Sequence, residues 1–228
     1  MSDANHFDGR EMAMVHRMFR REFLLAPGVV RQVAGGDNGR AQAVAAHLDL
    51  IISTLHHPHA GEDQHVWPLL QQRAPVQVSW HVLRVEEQHR QVECAVNKVT
   101  ESLARWRRDP TADRRERLAV ELETLVGFLV DHMDYEETYV VPVMESHIGI
   151  DEWNEIVQSM MGGLNSDEMS LVLGMSMYEG DRDIIDDTIA NMPAESREMI
   201  RRTAVEAYAE HAQRVYGTAT PPRGTGVR

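Results

Sequence analysis

Apolar residues recur along most of this chain at spacings of three and four, the pattern of helices that bury one face. Alternating apolar–polar runs bounded by turns, which would mark strands, are missing. Asp8-Gly9 precedes a first helix that runs to about Ala26-Pro27-Gly28. The turn cluster Gly35-Gly36-Asp37-Asn38-Gly39 separates it from a second, expected over roughly 40–73 and interrupted by Pro58 and Pro68. Ala74-Pro75 breaks the chain, and a third helix should run from about Trp80 to Arg108. Asp109-Pro110-Thr111 is the next break, before a fourth that reaches about His147. Four long helices with short connections predict an all-α, antiparallel four-helix bundle over residues 1–150. Beyond Gly149-Ile150-Asp151 the helical pieces shorten, so residues 151–228 are expected to form a C-terminal helical extension. Within it Ser166-Asp167-Glu168 and Pro193-Ala194-Glu195 read as helix starts. The stretch from Thr220 to Gly226 has the composition of a disordered tail.

Polar residues interrupt the apolar stripes at a few positions. The third stripe reads Val82, Val85, His89, Val92, Val96, Val99, Leu103 and Trp106, with His89 its sole polar member. The fourth reads Leu118, Leu122, Leu125, Leu129, His132, Glu136, Val140 and Val143. In the first, His16 stands between Met12 and Phe19; the second runs Val44, Leu48, Ile51, Leu55, then position 58, Glu62 and Leu69. One histidine in a stripe is ordinarily a satisfied core residue. His211, beside Ile200, Ala204 and Ala207 in the last helix, shows that such residues occur without a metal. Imidazoles in or beside the stripes of four helices, with two glutamates among them, are costly to bury unless something pairs with them. Convergent imidazoles and carboxylates of this kind bind divalent transition metals.

The donor count decides how many. The chain holds 12 histidines, and four of them with two glutamates exceed the four ligands of a closed zinc site. They suit two metals bridged by carboxylates. Nitrogen and oxygen donors without thiolate fit iron well, manganese less well, and zinc is possible. The one cysteine, Cys94, is off the face of His89 and reads as a buried thiol. A single cysteine forms no intramolecular disulfide, and neither a secretory signal nor a membrane-spanning apolar run is visible. A cytoplasmic setting is therefore expected, without membrane association. The net charge of -13 argues against nucleic acid as a partner.

Taken in order, these residues resemble the hemerythrin family in its HHE form. That pattern is a lone histidine on the first helix, HxxxE on the second, a histidine on the third, and HxxxE or HxxxxD on the fourth. Here the fourth gives His132-Met133-Asp134-Tyr135-Glu136-Glu137, and the second gives Pro58-His59-Ala60-Gly61-Glu62-Asp63. Both place an acidic pair six and five residues before a proline, Pro142 and Pro68. The resemblance covers about residues 9–150 and implies a centre of two non-haem iron ions, oxo- or hydroxo-bridged. It implies Glu62 and Glu136 as bridging carboxylates and His16, His89 and His132 as terminal ligands. Glu137, one step off the stripe, is expected to matter much less. The remaining third resembles the C-terminal extension of larger actinobacterial-type members. Three functions compete: reversible binding or sensing of O2 or NO with a role in oxidative stress, catalase-like decomposition of peroxide, and redox-dependent docking of a protein partner on the extension.

One position departs from the pattern. Pro58 stands where the second helix should carry its histidine, four before Glu62, with His56, His57 and His59 around it. In an unbroken helix His59 sits roughly 60° round from Glu62. A one-residue bulge at the proline would bring His57 into the role instead. Both remain candidates. His47 reads as either a hydrogen-bonding neighbour of the site or a surface group, while His65, His81 and His147 read as peripheral. Tyr135 and Tyr139 are expected to pack, and Met160, Met161, Met175 and Met177 to fill core or interface.

Overall fold

The computed structural model describes residues 6–76, 78–161, 164–190 and 197–224, and these are almost wholly helical. Helix α1 (Gly9–Arg31) starts where the Asp8 side chain accepts from the Arg10 amide, and it carries Pro27 inside it rather than ending there. Asp37 likewise caps α2 (Asn38–Gly61), and Thr111 caps α5 (Ala112–Tyr135). Between them lie α3 (Trp67–Arg73) and the 31-residue α4 (Val78–Arg108). Helix α6 (Val141–His147) continues the line of α5.

The second and fourth long helices are interrupted in the same way. Each contains a single π-helical turn, Glu62–Val66 and Glu136–Val140, with a proline, Pro68 or Pro142, in the turn that follows. Proline has no N–H to give the carbonyl four residues back, so the ladder must adjust there. A widened π turn is one such adjustment. Pro58, by contrast, sits inside α2 without ending it.

Among the described residues, two apolar clusters form the core. One contains Phe19, Leu55, Val92, Leu129 and Met133; the other contains Met12, Val66, Val85 and Val140. On every long helix the sequence candidates fall between them: His16 between Met12 and Phe19, Glu62 between Leu55 and Val66, His89 between Val85 and Val92, Glu136 between Met133 and Val140. A polar layer thus divides the bundle core.

The C-terminal helices are α7 (Ile150–Met161), α8 (Ser166–Glu179), α9 (Arg182–Ala190) and α10 (Arg197–Tyr216). A reciprocal capping box between Asn165 and Glu168 starts α8 as the sequence predicts. The start expected at Pro193-Ala194-Glu195 lies outside the described residues. These helices share both cores with the bundle: Met175, Tyr208, Ala212 and Val215 belong to the first cluster, Trp153 and Ile156 to the second. The change of pattern near residue 150 is a change in helix length, and described residues on either side of it share the same apolar clusters.

Buried charges tie this part to α1. Arg21 is fully buried and donates to Glu22 at 2.7 Å, to Glu179 at 2.5 Å and to the Met175 carbonyl at 3.2 Å. Its guanidinium also lies over the Tyr208 ring, 4.8 Å from the centroid. In the terminal stretch expected to be disordered, the Gly224 N–H donates to the Glu179 carboxylate at 3.1 Å and the Pro221 carbonyl accepts from Tyr178 at 2.8 Å. Bonding backbone to a buried carboxylate anchors a segment whose composition alone would leave it loose. His211 is a satisfied core histidine. Its Nε2 is 3.0 Å from His47 Nδ1, and His47 Nε2 is 3.1 Å from the Tyr216 hydroxyl, which donates to Glu22. Burial pushes His47 down to about 3 and His211 to about 4, so both rings are neutral at pH 7. Cys94 is exposed, contrary to expectation, because its side of α4 faces solvent beside Lys98 and Phe128.

Helices α8 and α10 approach so closely at Gly174 that an added Cβ would lie 2.1 Å from the Ala204 carbonyl oxygen. Backbone cannot swing aside as a side chain can. Gly174→Ala is expected to part the two helices and cost about 1–3 kcal/mol, the usual range for overpacking. Urea unfolding of the full chain measures this; an unchanged midpoint would contradict the tight approach.

Candidate metal centre

The polar layer is built from six side chains. The last turn of α5 and the π turn after it place His132 and Glu136; Glu136 Oε2 lies 3.3 Å from His132 Nε2 and 3.4 Å from His16 Nε2. On the other side, Glu62 Oε2 lies 3.5 Å from His89 Nε2. His59 borders the group. Its ring stacks on His89 with centroids 4.3 Å apart, and it meets His132 edge-on at 4.9 Å. Donor atoms of Glu62, His89, His132 and Glu136 all lie within 4.8 Å of one another, as do those of His59, His89 and His132.

His57 is not brought in. Its Nδ1–H donates to the Ser53 carbonyl at 2.8 Å, back along its own helix. The reason is where the helix widens. Helix α2 stays regular through Pro58 and opens only from Glu62, so the bulge that would have turned His57 inward occurs one turn too late. Residue 59 keeps its regular position, near Glu62 on the inner face. His65 and His147 lie outside the cluster, and His81 pairs with the Tyr135 hydroxyl at 2.7 Å and stacks on Tyr139.

Two carboxylates one residue further on hold the imidazoles in place. His16 Nδ1 donates to Glu137 at 2.9 Å, and Arg20 donates to the same oxygen at 2.7 Å. His89 Nδ1 donates to Asp63 at 2.8 Å, and Trp67 Nε1 donates to the same oxygen at 2.9 Å. A carboxylate on Nδ1–H fixes the tautomer and leaves the Nε2 lone pair facing the cluster. The two halves thus repeat one device: of each acidic pair, the first residue enters the layer and the second clamps a histidine from a neighbouring helix. Glu137, expected to matter much less than Glu136, bonds directly to the His16 ring. The paired acids at equal distance from a proline were the signal for this role, but stripe position alone hid it.

The cluster is electrostatically incomplete. Burial, then Glu136 and Asp63, push the Glu62 carboxyl well above its usual range. Burial also works against the charge on Glu136, yet His132 and His16 outweigh it and hold Glu136 well below. Burial drives His132 down to about 4 and, with His89 and His132 beside it, drives His59 well below its usual value. Among the described residues, Glu62 Oε2, His89 Nε2, both His132 nitrogens and both Glu136 oxygens are buried without a hydrogen-bond partner. Each such atom costs roughly 1–3 kcal/mol. A cation set among them would take the Nε2 atoms of His89 and His132 and the oxygens of Glu62 and Glu136 as ligands, and this nitrogen–oxygen donor set fits a divalent transition metal.

A family model, the hemerythrin HHE cation binding domain, matches residues 10–145, a span that includes every member of the cluster. No curated protein and no solved structure matches the chain.

If Asp63 and Glu137 orient the imidazoles, Asp63→Asn and Glu137→Gln should each weaken cation retention about 10–100-fold. Competition against a chelator measures this, with the surface change Glu123→Gln as reference. Retention equal to the reference in both variants would contradict the clamp.

Proposed function

The chain belongs to the hemerythrin HHE cation-binding family, and on that footing we propose that its bundle holds two non-haem irons and binds a small diatomic ligand, O2 or NO. The observation that carries this reading is the set of buried, unpartnered donor atoms on Glu62, His89, His132 and Glu136. In this reading His16 and His132 serve one iron, His59 and His89 the other, and Glu62 and Glu136 lie between them. Bound iron would supply reversible electron transfer and open coordination positions. Four histidines and two glutamates do not saturate two irons.

The chain's own residues then select the ligand by size. Leu55, Val66, Trp67, Val85, Met133 and Val140 are buried above and below the layer and exclude bulky substrates. A small uncharged molecule crosses such packing most readily. The physiological setting we propose is gas sensing or the response to oxidative stress in the reducing cytoplasm, supported by the single unpaired Cys94. No helix among the described residues is long and apolar enough to cross a membrane.

A second reading, peroxide decomposition, is favoured by one feature. His59 is only half-buried, which gives a polar, water-like molecule an edge of the cluster to approach. Docking of a protein partner on the extension has less support, because Met175, Tyr208, Ala212 and Val215 bury their side chains against the bundle.

Anaerobic reconstitution with iron(II), followed by optical titration with O2, NO and peroxide, tests the proposal. The expected result is about two irons per chain, near-ultraviolet charge-transfer absorption on oxidation, and a saturable, reversible change with O2 or NO. Rapid oxygen evolution from peroxide without stable gas binding would favour the second reading. One zinc per chain without iron bands would overturn both.

A further inference from the structure

Five of the six cluster residues are sealed from solvent: His16 and His89 are 6% exposed, Glu62 3%, His132 1% and Glu136 0%. His59 alone is half-buried, so the layer meets water at α2. One turn earlier on α2 is His56, which is exposed. Residues three apart on a helix are neighbours, with Cβ atoms about 5–6 Å apart. The helix is unbroken between them, so His56 and His59 present two imidazoles along one face. His59 in turn stacks on His89 and touches His132. Histidine positions 56 and 59 on α2 therefore lead from solvent toward the buried donors, the His56 ring lying beside that of His57 and the His59 ring against His89 and His132.

The same turn of α2 carries Pro58. Pro58 has no N–H to give the Thr54 carbonyl, so one bond of the ladder is missing across residues 54–58. The Thr54 hydroxyl inside it is also buried without a partner. A helix turn short of a backbone bond opens locally at lower cost than its neighbours.

We propose that His56 and His59 form an entry site for divalent transition-metal cations, an outer imidazole pair that takes the hydrated ion and passes it to the buried cluster. Imidazole is a good ligand for such ions, and residues three apart on one helix, a glutamate and a histidine, share a metal in carboxylate bundles. Stepwise exchange of water for imidazole spares a bare dication the full loss of its hydration. Pro58, in this account, stands at the family's histidine position because a gate is more useful there than a ligand that His59 supplies from one residue on.

The inference rests on reading the cluster as a metal centre, and the two fail separately. Metal-free full-length protein is mixed anaerobically with cobalt(II), and uptake is followed by visible absorption to its end point. His56→Ala should load about tenfold more slowly, the low end of the effect of losing an outer partner to a metal site, and reach the same final stoichiometry. Pro58→Ala, which restores the missing backbone bond, should slow both uptake and release to a chelator. His147→Ala, a change at the far end of α6 outside the cluster, should behave as the unmodified chain. Loading of His56→Ala at the unmodified rate would overturn the entry site while leaving the metal centre standing. A lower end point for His56→Ala would make His56 a resident ligand and also overturn the inference. No cobalt uptake by the unmodified chain would overturn the metal reading itself.

Discussion

Glu62 and Glu136 are held within 4.8 Å of each other and of two imidazoles, in a core sealed by apolar side chains. Two carboxylates cannot both stay ionised there without a compensating cation. The directions of their shifts say as much: burial and its neighbour force Glu62 toward its protonated form, while histidines hold Glu136 ionised. A cation set between them would shift that balance by supplying the compensating positive charge. The rest of the fold can be understood as what keeps these groups in place before the metal arrives.

Repetition is the means. Each half of the layer uses a π turn ahead of a proline, an acidic pair starting at the turn, and a histidine from the adjacent helix clamped by the second acid. The halves differ at one position, where His132 on α5 is matched by Pro58 on α2. His59 makes up the difference from the next position and is the least buried member of the group. Away from the layer, Arg21 and Glu22 leave the opposite side of α1 to bind the C-terminal helices. Helix α1 thus joins both halves of the molecule: His16 and Arg20 serve the cluster, and the next two residues anchor α8, α10 and the tail.

Much of this was legible in the sequence because helical burial has a fixed period. The four long helices follow from three- and four-residue spacing, and His16, Glu62, His89, His132 and Glu136 stand out because they interrupt apolar stripes. Other features were hidden for particular reasons. The choice between His57 and His59 turned on where α2 widens, and periodicity shows that a proline disturbs a helix without showing on which side the adjustment falls. The clamps by Asp63 and Glu137 depend on side chains crossing between helices. Burial of Arg21 and anchoring of the tail arise from long-range pairing, between residues 21, 179 and 224, which no local composition records. Exposure of Cys94 likewise depends on which side of α4 the neighbouring helices leave uncovered.

The central claim is that the divided core of this bundle holds two metals together. Iron-edge X-ray absorption on the reconstituted full chain tests it most directly. The account predicts a mixed nitrogen and oxygen first shell, with a second iron scatterer at about 3.5–4 Å or somewhat closer. A sulfur-containing shell, or a well-ordered nitrogen–oxygen shell with no neighbouring iron at full loading, would contradict it.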